Sequence, residues 1–591
     1  MSNRVNPTYL GEVVSVSGAS VTVRLTPQVK SGLLMIEGRA HRIGQVGSFI
    51  RIPQGYNDLY GVISETGESE GSNNSGNDNW DRRVVKVELV GEGIGDEFER
   101  GISQFPSIRD EAHLVTETDL RRIYGNNEDG QVLVGKLSSA DSISVGVNLD
   151  SLVNRHSAIL GSTGSGKSTS VSSLLRSIVS NDQDVIIKPS ARIVLFDIHG
   201  EYSSALRDVS SVFSINPSGD EKDLVIPYWC ISPDKLVDFL CGGHEGVKNK
   251  FLDLVVVEKQ EFIVSNNIKM DPHKVTPYTP VPYRIKKIWY DLYHEDNVNW
   301  NEKQKLTPAY LSEGDFETLE APTFRPPNTS NESLSVKGGP QVWKKQLELM
   351  RSRLLDAQFS FCLSPGPWTP DRENQVERGL ADLISDWIGD KSPITILDLS
   401  GMPEARLDLL LGSMLDILFE AAVWGRRFSG GMKDLPLLLV MEEAHRYLGN
   451  ESNGVSKDMV RRIAKEGRKF GVGAMLVSQR PSEIDETILS QCGTLMALRI
   501  NNAADRNRVK SAMSDGLSGI VDSLPVLRTG EAILTGEAVT LPMRCRFKVP
   551  KDGRYPDSKD PEVSKSWARD YKEVDFSVLV DSWVTQILNN K

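Results

Sequence analysis

The octapeptide Gly161-Ser162-Thr163-Gly164-Ser165-Gly166-Lys167-Ser168 fills the pattern G-x-x-x-x-G-K-[ST], and no other feature restricts the fold of this chain as much. Such a loop works only between a buried strand and the first turn of a helix. Both flanks are present: Ala158 to Leu160 is a short apolar run, and STSVSSLLRSIV after the lysine has helical spacing. Glycines let backbone N–H groups turn inward, the helix N-terminus adds positive potential, and Lys167 neutralises the outer phosphates. Ser168 is placed to ligate Mg²⁺, so residues 161–169, ending at Thr169, are expected to hold a nucleoside triphosphate, ATP, with its magnesium.

From about Val134 onward, short apolar runs alternate with helical segments, the pattern of a parallel α/β sheet. Six buried strands are expected: Ala158 to Leu160, and runs ending at Asp197, Ser400, Glu443, Gln479 and Ile500. Between Asp197 and Ile394 the chain is longer than a crossover needs. PDKLVDFLCGG, KNKFLDLVVVEKQEFIVSNN and VWKKQLELMRSRLLDAQ have helical spacing there, which predicts a helical insertion, with Asp291 to Gly339 as loop. Upstream, GEVVSVSGASVTVRL, GSFIRIP, LYGVISE and RVVKVELVGE alternate at period two, which predicts a small β-barrel. The polar stretch Glu65 to Asn79 is expected to be a flexible loop of that barrel.

The expected fold class is therefore α/β: a RecA-like P-loop ATPase core with an N-terminal β-barrel and a helical insertion. The boundaries are a barrel over 1–133, core over 134–220, insertion over 221–390, core again over 391–548, and a C-terminal extension over 549–591. The net charge of −12 argues against a broad basic DNA-binding face, although a few cations lining a channel are compatible with it. Five cysteines without C-x-x-C spacing suggest neither zinc nor a disulfide framework. Apolar runs are too short for a membrane span and the N-terminus has no apolar leader, so a cytoplasmic protein without membrane contact is expected.

ATP hydrolysis needs one acid for the metal and another to polarise the attacking water. In LPLLLVMEEAHRYLG, Glu442 is assigned to the metal, with Ser168, and Glu443 to the water; a helix N-terminus would also favour two acids here. Gln479, ending its strand in VSQRPSEID, is placed to sense the γ-phosphate or the water. Positive charge on the transition state often comes from a neighbouring subunit. In DMVRRIAKEGRKFGVG the best-placed arginine is Arg468, and Arg155, ahead of the P-loop strand, is a second candidate. In DIHGEYSSAL, Asp197 or Glu201 can reach the magnesium shell, and His199 lacks partners for metal binding.

Taken in order, the strand-rich N-terminus, RHSAILGSTGSGKS, DIHGEY, VMEEAHRYL, EGRKFGVG with VSQRPSEID, and LRTGEAILTGEAVTLPMR resemble the HerA-type hexameric DNA translocases of the HerA/FtsK group. That resemblance implies a homohexamer with ATP at each subunit interface and double-stranded DNA in a central channel. It implies Lys167 and Ser168 on phosphate and Mg²⁺, Glu442 and Glu443 as the acidic pair, Gln479 as sensor, and Arg468 reaching into the neighbour's site. Arg155 matches a second arginine near the nucleotide. A partner effector is implied as well, either a NurA-like nuclease in DNA end processing or a Sir2-like or nuclease effector in bacterial antiphage defence.

Channel residues are less legible. WGRRFSGGMK, with Arg426, Arg427 and Lys433, suits a channel loop or a charged turn; PYRIKKIWY suits a single-strand site or a helix with an apolar face. The expected function is an ATP-driven DNA translocase or helicase. The alternative is an ATP-binding ring that assembles and regulates an effector enzyme with little translocation. A protein-remodelling ATPase is a further rival, without a clear aromatic pore loop.

Overall fold

The computed structural model describes residues 6–26, 33–36, 39–42, 44–68, 83–95, 97–124, 130–301, 307–326, 334–336, 342–389, 391–402, 406–449, 454–513, 518–551, 553–558, 562–569 and 575–585. Among them, six antiparallel strands close a barrel: Tyr9–Ser17, Ser20–Leu25, Phe49–Gln54, Asn57–Glu68, Arg83–Ile94 and Glu111–Leu114. Closure comes from Ser20–Leu25, which pairs with Arg83–Ile94 as well as with Tyr9–Ser17. Period-two alternation points Val21, Val23, Ile50, Ile52, Val85 and Val87 into one separate apolar core.

Glu65 to Glu68 differ from expectation. They continue the strand Asn57–Glu68, with Glu65 opposite Lys86 and Glu68 opposite Arg83, so ladder hydrogen bonds and opposite charges outweigh the loop-like composition. The rest of the expected loop, 69–79, lies outside the described residues.

The second body is a twelve-stranded sheet. Its parallel part runs Thr494–Ala497, Ser157–Leu160, Val472–Ser478, Leu437–Met441, Arg192–Asp197, Ile394–Asp398, Ser210–Ser214 and Lys222–Asp223. The first six are the strands expected from the sequence, and they are contiguous. Buried on both faces, they read as unbroken apolar runs. Glu531–Gly536, Met543–Phe547, Gln131–Leu137 and Ala140–Asn148 extend the sheet antiparallel beyond Thr494–Ala497.

The insertion carries the helices Pro233–Cys241, Glu245–Ser265, Ile285–Asn297, Lys344–Leu355 and Leu380–Ile388. Buried Trp289, Trp387 and Phe251 make its core continuous with that of the sheet. Within the stretch expected to be loop, the helix runs on to Asn297, and short strands follow, among them Asn299–Asn301, Tyr310–Ser312 and Thr323–Phe324. Rings of His294, Trp300, Tyr310 and Phe324 pack on one another and order a segment whose composition alone reads as irregular. At the far end of the chain, the helix Ser577–Thr585 leaves Leu579 and Trp583 exposed. No helix among the described residues is long and apolar enough to cross a membrane.

Candidate nucleotide site

Ser157–Leu160 is wholly buried between two parallel neighbours, and the chain leaves its C-terminal end as residues 161–166. Gly164 and Gly166 have φ of 72° and 88°, a region that L side chains rarely adopt. At Gly166 a Cβ would also stand 2.9 Å from the Gly530 nitrogen, so only glycine fits. The helix Lys167–Val179 starts immediately after it. Gly166 offers no capping side chain, which leaves first-turn N–H groups open for an anion.

The loop is held from both sides. The N–H of Gly161 donates to the Ser478 carbonyl at 3.1 Å and that of Ser162 to the Arg499 carbonyl at 2.9 Å. Arg499 Nη2 donates to the Gly164 carbonyl at 2.6 Å, and the Gly530 N–H to the Ser165 carbonyl at 2.9 Å. These contacts tie the P-loop to strand ends and loops more than three hundred residues later in the chain.

The neighbouring parallel strands end at the same edge and deliver the acids. Glu443 sits in the left-handed region at φ 44°, which swings its side chain back toward the loop, where Lys167 Nζ donates to Oε1. Its other oxygen is 3.2 Å from His445 Nδ1, and that nitrogen is 3.1 Å from Ser478 Oγ. Burial alone would raise the Glu443 carboxyl; the His445 hydrogen bond and the Lys167 ammonium outweigh it and hold the group down at about 2. Glu443 is therefore a carboxylate throughout the neutral range.

Glu442 faces the other way, onto Asp197. Burial, then the negative charge of Asp197, pushes the Glu442 carboxyl up, and burial pushes Asp197 up to about 6. Asp197 spends its lone pairs on the backbone, accepting from the N–H groups of His199 at 3.3 Å, Gly200 at 2.9 Å and Tyr202 at 2.9 Å. Oε2 of Glu442 is buried and accepts no hydrogen bond among the described residues. An orphaned acid oxygen beside open helix N–H groups fits a magnesium-bound polyphosphate, with Ser168 and Glu442 as the residues to hold the metal.

Gln479 is brought to the loop: Thr163 Oγ1 donates to its Oε1 at 2.6 Å. The two arginines are not. Arg155 precedes the P-loop strand and pairs with Glu537 at 3.3 Å, and exposed Arg468 ends the helix Val455–Phe470; both stand at the N-terminal edge of the sheet. His199 is exposed, and no cluster of three metal-ligating side chains occurs among the described residues. Sequence reasoning missed Asp398, parallel neighbour of Asp197, and buried Tyr202 beside Ser168; it also missed Arg499, His445 and Gly530. Asp398 ends an apolar run just as Asp197 does, which was a usable signal; Arg499 carried none.

A parallel sheet with a phosphate loop, a buried acid pair and a polar strand end on one edge defines a RecA-like P-loop ATPase. Residues 132–417 match the family model described as helicase HerA, central domain, and 426–541 the one described as helicase HerA-like C-terminal. The chain belongs to the HerA-type helicase family. It is 27% identical to the DNA double-strand break repair helicase HerA of Sulfolobus acidocaldarius, over 80% of this chain and 79% of that protein. It is 24% identical to that of Pyrococcus furiosus, over 84% and 82%. The solved structure of VirB4 of Thermoanaerobacter pseudethanolicus is similar with a TM-score of 0.44 at 14% identity, covering 71% of this chain and 97% of that one.

Proposed function

We propose that this ATPase is a motor on double-stranded DNA, built as a homohexameric ring in which each nucleotide lies between two subunits. Lys167 and the N–H groups of 161–169 hold the phosphates, with Ser168 and Glu442 directed to the metal. Glu443, kept ionised, orients and polarises the attacking water. Gln479, tied to Thr163, senses whether the outer phosphate is present. Bound Mg²⁺ would withdraw charge from the phosphate oxygens.

The observation that carries this reading is the placement of Arg155 and Arg468 on the edge of the sheet opposite their own P-loop. An arginine there can complete only another copy's site. DNA as the track rests on the DNA helicases to which the chain is similar. A nuclease or Sir2-like effector, in end processing or antiphage defence, is the proposed partner, with the barrel and the insertion as its docking surfaces.

The test is the steady-state ATPase rate with no DNA, with blunt duplex and with single strand, beside Lys167→Ala and Glu443→Ala. Stimulation by duplex, lost in both variants, is expected. A rate that needs both residues and ignores DNA would sink the motor and leave the scaffold for an effector.

A further inference from the structure

The N-terminal edge of the parallel sheet bears a feature that the nucleotide site does not use. Trp424 is 84% exposed and Phe428 71%, and the 3₁₀ turn Gly425–Arg427 between them holds exposed Arg426 and Arg427. No hydrogen bond or ion pair among the described residues engages either guanidinium. The turn is nonetheless built firmly. Phe428 N–H donates to the Gly425 carbonyl and Gly431 N–H to the Phe428 carbonyl, both at 2.9 Å. Arg192 Nη1 holds the Gly430 carbonyl at 2.9 Å, and Trp424 Nε1 donates to Glu420 at 3.0 Å. Two bare aromatic rings bracketing two unpaired arginines on a rigid turn have the composition of an interface hot spot.

The turn adjoins the arginine that the ring reading needs. Met432 packs its carbonyl so closely on Gly471 that a Cβ there would lie 1.9 Å from it, and Gly471 ends the helix whose last turn carries Arg468. Arg155, Arg426, Arg427, Lys433, Arg468 and Lys469 thus gather on one edge; of the nearby acids, Glu537 is taken by Arg155, Glu420 by Arg462 and Asp434 by the Gly430 N–H. The opposite edge carries part-exposed Glu201 and Asp398 beside the phosphate loop, over buried Asp197, Glu442 and Lys167-paired Glu443. In a chain of net charge −12, two copies meet with least charge repulsion where a basic edge faces an acidic one. Unlike edges that meet head-to-tail make the heterologous contact that closes into a ring.

We propose that the Trp424–Phe428 turn is the anchor by which one copy of the chain docks on the nucleotide edge of a second copy, seating Arg468 at that copy's phosphate loop. This deepens the ring reading above and rests on it.

Sedimentation velocity of the full chain with Mg²⁺ and a slowly hydrolysed ATP analogue, across protein concentrations, tests the proposal. Trp424→Ala with Phe428→Ala, and separately Arg426→Glu with Arg427→Glu, are expected to raise the concentration needed for assembly by about 10²-fold or more. Their ATPase rate should recover as protein concentration rises, because mass action refills the contact. Arg468→Ala should assemble normally and stay slow at every concentration, and Trp424→Phe should restore most of the assembly. Circular dichroism checks that each variant folds. A wild-type monomer under these conditions, or unchanged assembly in both double variants, overturns the proposal. Unchanged assembly with weakened binding of labelled duplex would assign the turn to nucleic acid instead. Assembly through the turn with an ATPase that ignores DNA leaves the docking intact and removes only the motor.

Discussion

His445 Nδ1 lies 3.2 Å from Glu443 Oε2 and 3.1 Å from Ser478 Oγ, so one imidazole lies between the proposed water-polarising acid and the strand end that precedes Gln479. Losing a hydrogen bond to an ionised group costs about 1.5–3 kcal/mol, or about 10- to 100-fold in rate when the loss falls on the transition state. His445→Ala is expected to lower kcat within that range with KM for ATP little changed. A matching rise in KM with unaltered kcat would show that His445 serves binding instead.

Thr163 and Gln479 form a direct link between loop and sensor. If Thr163 acts through that link, Thr163→Val should slow turnover less than Gln479→Ala does, and the double variant should match Gln479→Ala alone. Additive losses in the double-mutant cycle would mean that the two act separately.

The Lys167 and Glu443 side chains are each 7% exposed. Removing the lysine alone strands a buried carboxylate and should destabilise the fold by about 3 kcal/mol at most, since His445 stays in place. Lys167→Ala with Glu443→Gln should regain the melting temperature and remain inactive. Thermal melts beside ATPase rates separate the two effects; equal melting of single and double variants would contradict the pairing.

His156, ahead of the P-loop strand, is buried at φ 54° and accepts the Ala474 N–H on Nδ1 at 3.1 Å. Burial lowers its pKa from 6.5. The folded protein keeps it neutral while the unfolded chain takes up a proton, so stability should fall as pH drops below 6.5, until the folded form also protonates. His156→Asn, which tolerates the backbone conformation, should show a smaller stability loss between about pH 7.5 and about pH 5.5 in urea unfolding. An identical loss in both proteins would rule out His156 as its source.

The central six strands were legible because parallel strands buried on both faces must be largely apolar, and Asp197, Asp398 and Ser478 end three of them with a polar residue at one edge. Ser210–Ser214 escaped because it lies toward the sheet margin, where Ser210, Ser211 and Val212 are only partly buried. The segment after Asn297 escaped because ring contacts around His294, rather than composition, order it. At the site, the motif residues were readable from local spacing. The clamp by Arg499 and Gly530 was not, since its partners meet the P-loop only through sheet topology.

The central strand Ser157–Leu160 is paired on one side by Met475–Ser478 and on the other by Thr494–Ala497. During synthesis it must therefore wait for roughly three hundred further residues before either partner leaves the ribosome, a delay characteristic of non-local pairing. The barrel, complete by Leu114, has every strand in hand long before that. All the barrel strands thus precede the phosphate loop, whereas the loop gains both of its walls only when residues 475–478 and 494–497 have been made.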